Sequence, residues 1–238
     1  MATQDIQLTV IIPILNESKT IEKIVQRVLD LDLSMQIIIV NDGSTDDTSD
    51  IIEKLSQKNG SIDIYHHDKN RGKGAAIQTA IPHIRGKYTV IQDGDLEYDP
   101  RDFIKLLEIL VNKNIRVVYG SRILSHSRMS YLRYWLGGRG VTFFTNLIYG
   151  SKLTDEPTCY KMIESNLFKA LKIESKGFEF CPEMTGKLLR MKEPIAEIPI
   201  SYNPRTIEEG KKINWKDGFI ALWVLLKNRF RKPLNTNI

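Results

Sequence analysis

Leu8-Thr9-Val10-Ile11-Ile12-Pro13-Ile14, followed at once by Leu15-Asn16-Glu17, is the stretch on which the fold turns. It is a near-continuous β-branched run without polar alternation, the pattern of a strand covered on both faces. Such strands sit in parallel sheets, where helices must alternate with them along the chain. Ile21, Ile24, Val25 and Val28 recur at helical spacing within 20–29, and QIIIV at 36–40 reads as the next strand. The polar stretch NDGSTDDTSD (41–50) leads into another helix, with Ser44 and Asp47 spaced as a capping box. Ile62–His66 is a third, weaker strand, and the glycine-rich 70–76 opens a helix ending near Pro82. Tyr88–Gln92 and Val117–Gly120 are further strands, separated by a helix over 100–112 with Asp99 as N-cap and Pro100 as its first residue. This alternation predicts an α/β fold: an open, mostly parallel sheet with helices on both faces. Its ligand crevice should lie beyond the carboxyl ends of the strands.

The second half is less regular. Residues 129–150 mix aromatics, arginines and glycines, and 154–161 read as a polar loop followed by a short apolar segment. Phe180–Met191 is helical in pattern, Ile195–Ile200 strand-like, 206–214 a charged loop, and Gly218–Phe230 a last helix. The expected organisation is one catalytic domain over 1–217, its second half covering the crevice, and an amphipathic, membrane-interfacial helix and tail over 218–238.

The 238 residues, 42% hydrophobic and 26% charged, suffice for one substantial core. A net charge of +5 favours anionic partners. Nucleic acid is not among those expected, because the basic residues lie beside acidic motifs and form no long cationic stripe. Two cysteines in so long a chain argue against a secreted disulfide framework. The start lacks the pattern of a signal peptide, and no run of about 18 apolar residues occurs. The expected location is therefore cytoplasmic, without a bilayer-spanning helix.

The chemistry is concentrated at the predicted strand tips. In QDGDLE (92–97), continued extension past the strand would put Asp93, Asp95 and Glu97 on one side. Carboxylates so placed repel unless a cation joins them, and oxygen ligands suit Mg²⁺ or Mn²⁺. Such an ion can bridge the phosphates of a nucleotide sugar and stabilise charge on the departing diphosphate. Asp42, at the end of the second strand, can accept a hydrogen bond from a ring N–H of uracil or guanine. Glu17 lies at the same sheet edge, where it either meets the nucleoside or favours the following helix N-terminus. NRGKGA (70–75) offers two cations, two glycines and a helix start, which suits a diphosphate by backbone approach. The sequence matches neither a P-loop nor the dinucleotide G-x-G-x-x-G fingerprint.

Taken together, the strand, PILNE, VNDGSTD, NRGKGAA, QDGD, YGSR, TDEPTCY and YNPR, in this order over about residues 7–217, resemble family 2 glycosyltransferases with the GT-A fold. The likeness is to the dolichol- or polyprenyl-phosphate sugar synthase branch. It implies donor-nucleotide contacts at Pro13, Leu15, Glu17, Asp42, Lys73, Asp93 and Gly94, and metal ligation by Asp93, Asp95 and Glu97. Glu97 stands where that branch often has glutamine. The resemblance further implies a catalytic set of Asp95, Asp155 and Arg122, and acceptor- or phosphate-binding residues Arg122, Arg139, Arg205 and Lys211, or Lys212 in its place. The surroundings of Arg139 (GGRGV) depart from the usual serine-containing stretch. Cys159 stands before Tyr160 where the family often has glycine.

The expected reaction is inverting transfer of a hexose, from a donor of the GDP-mannose or UDP-glucose type, to a polyprenyl or dolichyl phosphate. A phosphate acceptor is already largely anionic at neutral pH, so Asp155 is expected to orient the site rather than act chiefly as a base. A lipid acceptor requires reach to a bilayer. Phe219, Ile220, Leu222, Trp223, Val224, Leu225 and Leu226, followed by Lys227, Arg229, Arg231 and Lys232, suit an interfacial helix, as does Leu132–Phe144. The expectation is peripheral attachment to the cytoplasmic face of a membrane, directly or through a membrane partner. Rival readings are a GT-A transferase acting on a soluble glycan or other hydroxyl, a sugar nucleotidyltransferase and a non-catalytic nucleotide-binding module. The nucleotidyltransferase normally places its basic glycine-rich loop after the first strand rather than the third.

Overall fold

The computed structural model describes residues 6–125, 132–205 and 215–231. Seven strands form one sheet: β1 Leu8–Ile14, β2 Met35–Asn41, β3 Ile62–His66, β4 Tyr88–Ile91, β5 Val117–Ser121, β6 Lys161–Glu164 and β7 Ile195–Pro199. Their spatial order is β3-β2-β1-β4-β6-β5-β7. The pairs on the β1 side are parallel, as is β5 with β7, whereas β6 runs antiparallel to both β4 and β5. Every residue of β1 is buried, as its β-branched run requires of a strand covered on both faces.

The helices are α1 Ile21–Leu29, α2 Thr48–Lys58, α3 Lys73–Ala80, α4 Asp102–Lys113, α5 Leu132–Tyr149, α6 Ser165–Ala170, α7 Phe180–Arg190 and α8 Trp215–Phe230. In α1 the four apolar residues at helical spacing are all buried. The principal core runs through β1, β2, β4, β5 and the helices packed on them. Among the described residues no helix is long and apolar enough to cross a membrane.

Several local expectations need correction. Ser44 and Asp47 form no capping box. Ser44 Oγ accepts from the Asn16 amide at 2.9 Å, while Asp46 Oδ1 accepts from the Thr48 amide at 3.1 Å and Oδ2 from the Ser18 amide at 3.3 Å. Asp46 thus ties the β1 tip to the start of α2, and its pKa falls to about 2: hydrogen bonds from Thr48 and Ser18 outweigh the opposing effect of burial. α4 begins at Asp102, two residues later than expected, and Asp99 caps the preceding turn by accepting from the Arg101 amide at 3.0 Å. The mixed stretch within 129–150 is the long helix α5, despite Gly137, Gly138 and Gly140. α8 runs through residue 217 without a break and packs on both α5 and α7.

Candidate active site

Register places the site. Ile14 pairs with Asn41 across β1 and β2, and Ile11 with Ile91 across β1 and β4, so PILNE, Asp42 and QDGD leave the sheet along one edge. There a cavity of about 390 Å³ is lined by Pro13, Ile14, Leu15, Glu17, Asp42, Asn70, Gly72, Lys73, Ala76, Asp93, Gly94, Asp95, Glu97, Phe178 and Arg205. All seven residues expected to hold the donor nucleotide are in this lining. The acids arrive by a different route from the one expected: residues 94–97 form bends rather than extended chain, so strand alternation does not bring them together.

Three cross-links set the charge pattern. Lys73 Nζ, from the start of α3, is paired with Asp93 Oδ1 and lies 3.5 Å from Cys159 Sγ. Burial opposes the charged form of Asp93, but the Lys73 ammonium prevails and holds its pKa below the usual carboxylate range. Asp42 is deeply engaged: Oδ1 lies 2.6 Å from His67 Nδ1 and accepts from the Arg71 amide at 2.8 Å, and Oδ2 accepts from the Gly72 amide at 2.7 Å. These two amides, expected to face a diphosphate, are therefore given to Asp42. Three contacts still leave the carboxylate capacity for one more donor. The loop is tight. Gly72 has φ 98°, and a side chain there would place Cβ 2.4 Å from the Lys176 carbonyl oxygen.

The third link is Arg205. Its Nη2 lies 2.7 Å from Asp95 Oδ2 and its Nη1 3.3 Å from Glu17 Oε2. Its backbone N–H donates to Glu97 Oε1 at 2.7 Å, and the Tyr202 hydroxyl lies 3.0 Å from Glu97 Oε2. A Tyr98–Tyr202 bridge, with the Asn203 amide donating to the Glu97 carbonyl at 2.8 Å, fastens YNPR against the acidic loop. Burial, then the neighbouring Asp93 carboxylate, pushes the Asp95 pKa up to about 7 against the pull of Arg205.

Asp155 and Arg122 form a separate pair. Arg122 Nε and Nη2 grip Asp155 at 2.8 and 2.7 Å, and the Arg122 amide adds a third bond at 2.9 Å. Burial works against the charged carboxylate, yet the Arg122 guanidinium and its hydrogen bonds hold the pKa below its ordinary value. Glu197, on β7, accepts from the Thr154 and Asp155 amides at 2.7 and 3.1 Å and fixes the loop. Neither member of the pair is in the cavity lining, and Arg139 is exposed on α5, its guanidinium 5.9 Å from the Trp135 ring. Lys211 and Lys212 lie outside the described residues.

Among the described residues no three His, Cys, Asp or Glu side chains converge as a ready metal cage. Asp93 is taken by Lys73, while Asp95, with Glu97 beside it, faces the cavity. An all-oxygen donor set limited to one or two carboxylates fits Mg²⁺ or Mn²⁺, ions that take their remaining ligands from phosphates and water. Sequence reading missed Ile14, Asn70, Ala76 and Phe178 in the lining, and Glu197 beneath Asp155. Asn70 lay inside a quoted motif. Phe178 and Glu197 carried no local signal, because long-range packing alone delivers them.

The comparisons agree with this architecture. The low-salt glycan biosynthesis hexosyltransferase Agl6 of Haloferax volcanii is 29% identical over 227 residues, covering 93% of this chain and 53% of that protein, so the chain spans about half its length. The UDP-N-acetylglucosamine–dolichyl-phosphate N-acetylglucosaminyltransferase of Methanococcus voltae is 26% identical over 244 residues, covering 94% of this chain and 97% of that protein. Among solved structures, glucosyl-3-phosphoglycerate synthase of Mycobacterium tuberculosis in complex with UDP superposes with a TM-score of 0.71 at 18% identity, over 94% of this chain and 80% of that one. Other crystals of that synthase contain Mn²⁺ or Mg²⁺ with UDP. The model for glycosyl transferase family 2 matches residues 9–172, which include PILNE, the Asp42 turn, the basic loop, QDGD and the Asp155 loop. By that match and by the strand-tip acids it contains, the chain belongs to glycosyl transferase family 2.

Proposed function

We propose that this protein transfers a hexose from a nucleotide diphosphate sugar to a polyprenyl or dolichyl phosphate, with inversion at the anomeric carbon. The observation that carries the acceptor class is the state of Asp155. A hydroxyl acceptor needs a general base, and a carboxylate gripped by three Arg122 bonds with a lowered pKa is a poor one. A phosphate oxygen needs no such help. The Methanococcus relative, named for a dolichyl-phosphate acceptor, supports the same reading.

Within this reading the nucleoside lies over Pro13, Leu15 and Gly94, and Asp42 receives a base N–H through its remaining capacity. Asp95, with Glu97, would hold Mg²⁺ or Mn²⁺, which supplies charge neutralisation at the leaving diphosphate. Asp93 positions Lys73 toward the same phosphates. Arg122, oriented by Asp155, is the group for the acceptor phosphate, because paired donors match phosphate oxygens. Arg205, Arg139 and the lysines at 211 and 212 supplement it. The test is a panel of nucleotide sugars with a short polyprenyl phosphate, a soluble glycan and Mn²⁺, following label into organic solvent. Label in the lipid fraction is expected; label only in the glycan would overturn the acceptor assignment. Asp155→Asn should weaken the acceptor KM by roughly tenfold, with the donor KM little changed, because it loosens Arg122 rather than removing a base.

The same reading places the protein peripherally on the cytoplasmic face of a membrane. Eleven large apolar side chains are exposed among the described residues, and eight of them lie on two packed helices: Leu136, Phe143 and Leu147 on α5, and Phe219, Ile220, Trp223, Leu226 and Phe230 on α8. Positions 219, 223, 226 and 230 form a helical stripe beside the exposed Lys227 and Arg229. Exposed aromatics flanked by cations suit an anionic leaflet. α5 also touches the acceptor loop, the Glu156 amide donating to Thr142 Oγ1 at 3.1 Å. Phe143→Asp combined with Trp223→Asp is expected to reduce co-sedimentation with phosphatidylserine-containing vesicles by about tenfold or more. Transfer to detergent-dispersed acceptor should survive. Unchanged sedimentation would reject this face.

A further inference from the structure

Arg205 and a divalent ion call on the same oxygens. Five carboxylates line the cavity, those of Glu17, Asp42, Asp93, Asp95 and Glu97, against two cationic side chains, Lys73 and Arg205. Lys73 is committed to Asp93, and Asp42 to His67 and two backbone amides; Arg205 pairs with Asp95 and Glu17. Its guanidinium occupies Asp95 Oδ2 at 2.7 Å, while Oδ1 accepts from the Glu97 amide, so a cation held by Asp95 would compete with Arg205 for this carboxylate. Its Nε is buried, 3.9 Å from Glu97 Oε1 and without a hydrogen-bond partner, so a donor is held in reserve beside the cavity.

The backbone around Arg205 is anchored independently of its guanidinium. The Arg205 amide donates to Glu97 at 2.7 Å, and the Asn203 amide holds the Glu97 carbonyl at 2.8 Å. Among the described residues the guanidinium's ion pairs and hydrogen bonds all go to carboxylates, which a stronger cation can replace.

We infer that Arg205 is an exchangeable counter-cation: it neutralises Asp95 and Glu17 until a metal–nucleotide complex arrives, then turns onto the diphosphate. This rests on the metal and nucleotide reading above and adds to it an order of events. A divalent ion alone would have to expel Arg205 from its carboxylates into water, uncompensated. Accompanied by a diphosphate, it gives the expelled guanidinium two anionic groups to grip. Metal and nucleotide therefore bind cooperatively, and by linkage each tightens the other by the same factor.

The test titrates Mn²⁺ by the loss of its free electron-paramagnetic-resonance signal, with and without UDP, in the wild type, Arg205→Gln and Arg205→Lys. For the wild type, UDP should tighten Mn²⁺ by about tenfold or more. Arg205→Gln should bind Mn²⁺ alone at least about fivefold more tightly than the wild type, and the gain from UDP should shrink. Arg205→Lys, which keeps the charge but not the fork, should fall between. If the wild type shows UDP-coupled Mn²⁺ binding and Arg205→Gln binds Mn²⁺ alone no better, the exchange is overturned and the metal reading stands. If the wild type binds no Mn²⁺ even with UDP, both fall together.

Discussion

Asp95→Asn is expected to lower sugar transfer by at least about 10²-fold, and more plainly in kcat than in the KM for the lipid acceptor. The size follows from the role proposed for this carboxylate. An ion that stabilises the departing diphosphate is worth several kcal/mol of transition-state energy, and each 1.4 kcal/mol is about tenfold. The amide is the same shape and keeps an oxygen for the Glu97 N–H that now donates to Asp95 Oδ1 at 3.0 Å, so the acidic loop should hold its course. The folded protein sheds the repulsion from Asp93 and loses the Arg205 ion pair, two effects of opposite sign. Thermal unfolding should therefore stay within about 1 kcal/mol of the wild type, as for substitutions that break no core packing. Asp93→Asn provides the contrast. It leaves the buried Lys73 ammonium without its carboxylate and should lower both stability and activity. Transfer by Asp95→Asn at the wild-type rate would remove Asp95 from the metal site.

That contrast also shows where sequence reading reaches its end. β1, β2 and α1 were legible because β-branched runs and helical spacing are local, and the parallel alternation then fixed one sheet edge for PILNE, Asp42 and QDGD. β6 was not legible as a strand. It has four residues and earns its place only by pairing antiparallel with β4 and β5, segments far from it in the chain. α5 was read only in part, as an interfacial helix over 132–144 that stops short of Tyr149, because its three glycines weaken a helix and blur its period. At the site, residue types were readable and their partners were not. Lys73 meets Asp93 across 20 positions, Arg205 meets Asp95 across 110 and Glu17 across 188. Asp42 was read for its acidity, but its engagement with the Arg71 and Gly72 amides depends on how the basic loop returns over β2. These pairings decide which acids remain for a metal.

Lys161→Met is expected to cost about 3–5 kcal/mol, the largest stability loss among the changes considered, because it strands a buried carboxylate. Lys161 and Glu156 are both fully buried, with Nζ 3.8 Å from Glu156 Oε1. The ammonium also donates to the backbone carbonyls of Glu156 and Thr158, the latter at 2.9 Å, and stands 4.7 Å from the centre of the Tyr119 ring. Methionine fills similar volume, so packing is largely retained and the loss is electrostatic and hydrogen-bonding. Two carbonyls lose their donor, and Glu156 loses its only cation within 4 Å among the described residues. Burial already raises the Glu156 pKa, so the acid can take up a proton when the ammonium leaves, which holds the cost toward the lower end of that range. For a chain of this length such a loss lowers Tm by roughly 6–20 °C. Activity should fall beyond what unfolding explains. Lys161 fastens the same loop that carries Asp155, and a looser loop releases the grip on Arg122. Glu156→Gln also strands a buried charge, the Lys161 ammonium, but should cost less than Lys161→Met because the carbonyls of Glu156 and Thr158 still accept from it. The double substitution should recover part of the loss, since the stranded charge is gone. Urea unfolding of the three variants measures this directly. A Lys161→Met protein within 1 kcal/mol of the wild type would mean that the buried pair contributes nothing to holding the acceptor loop.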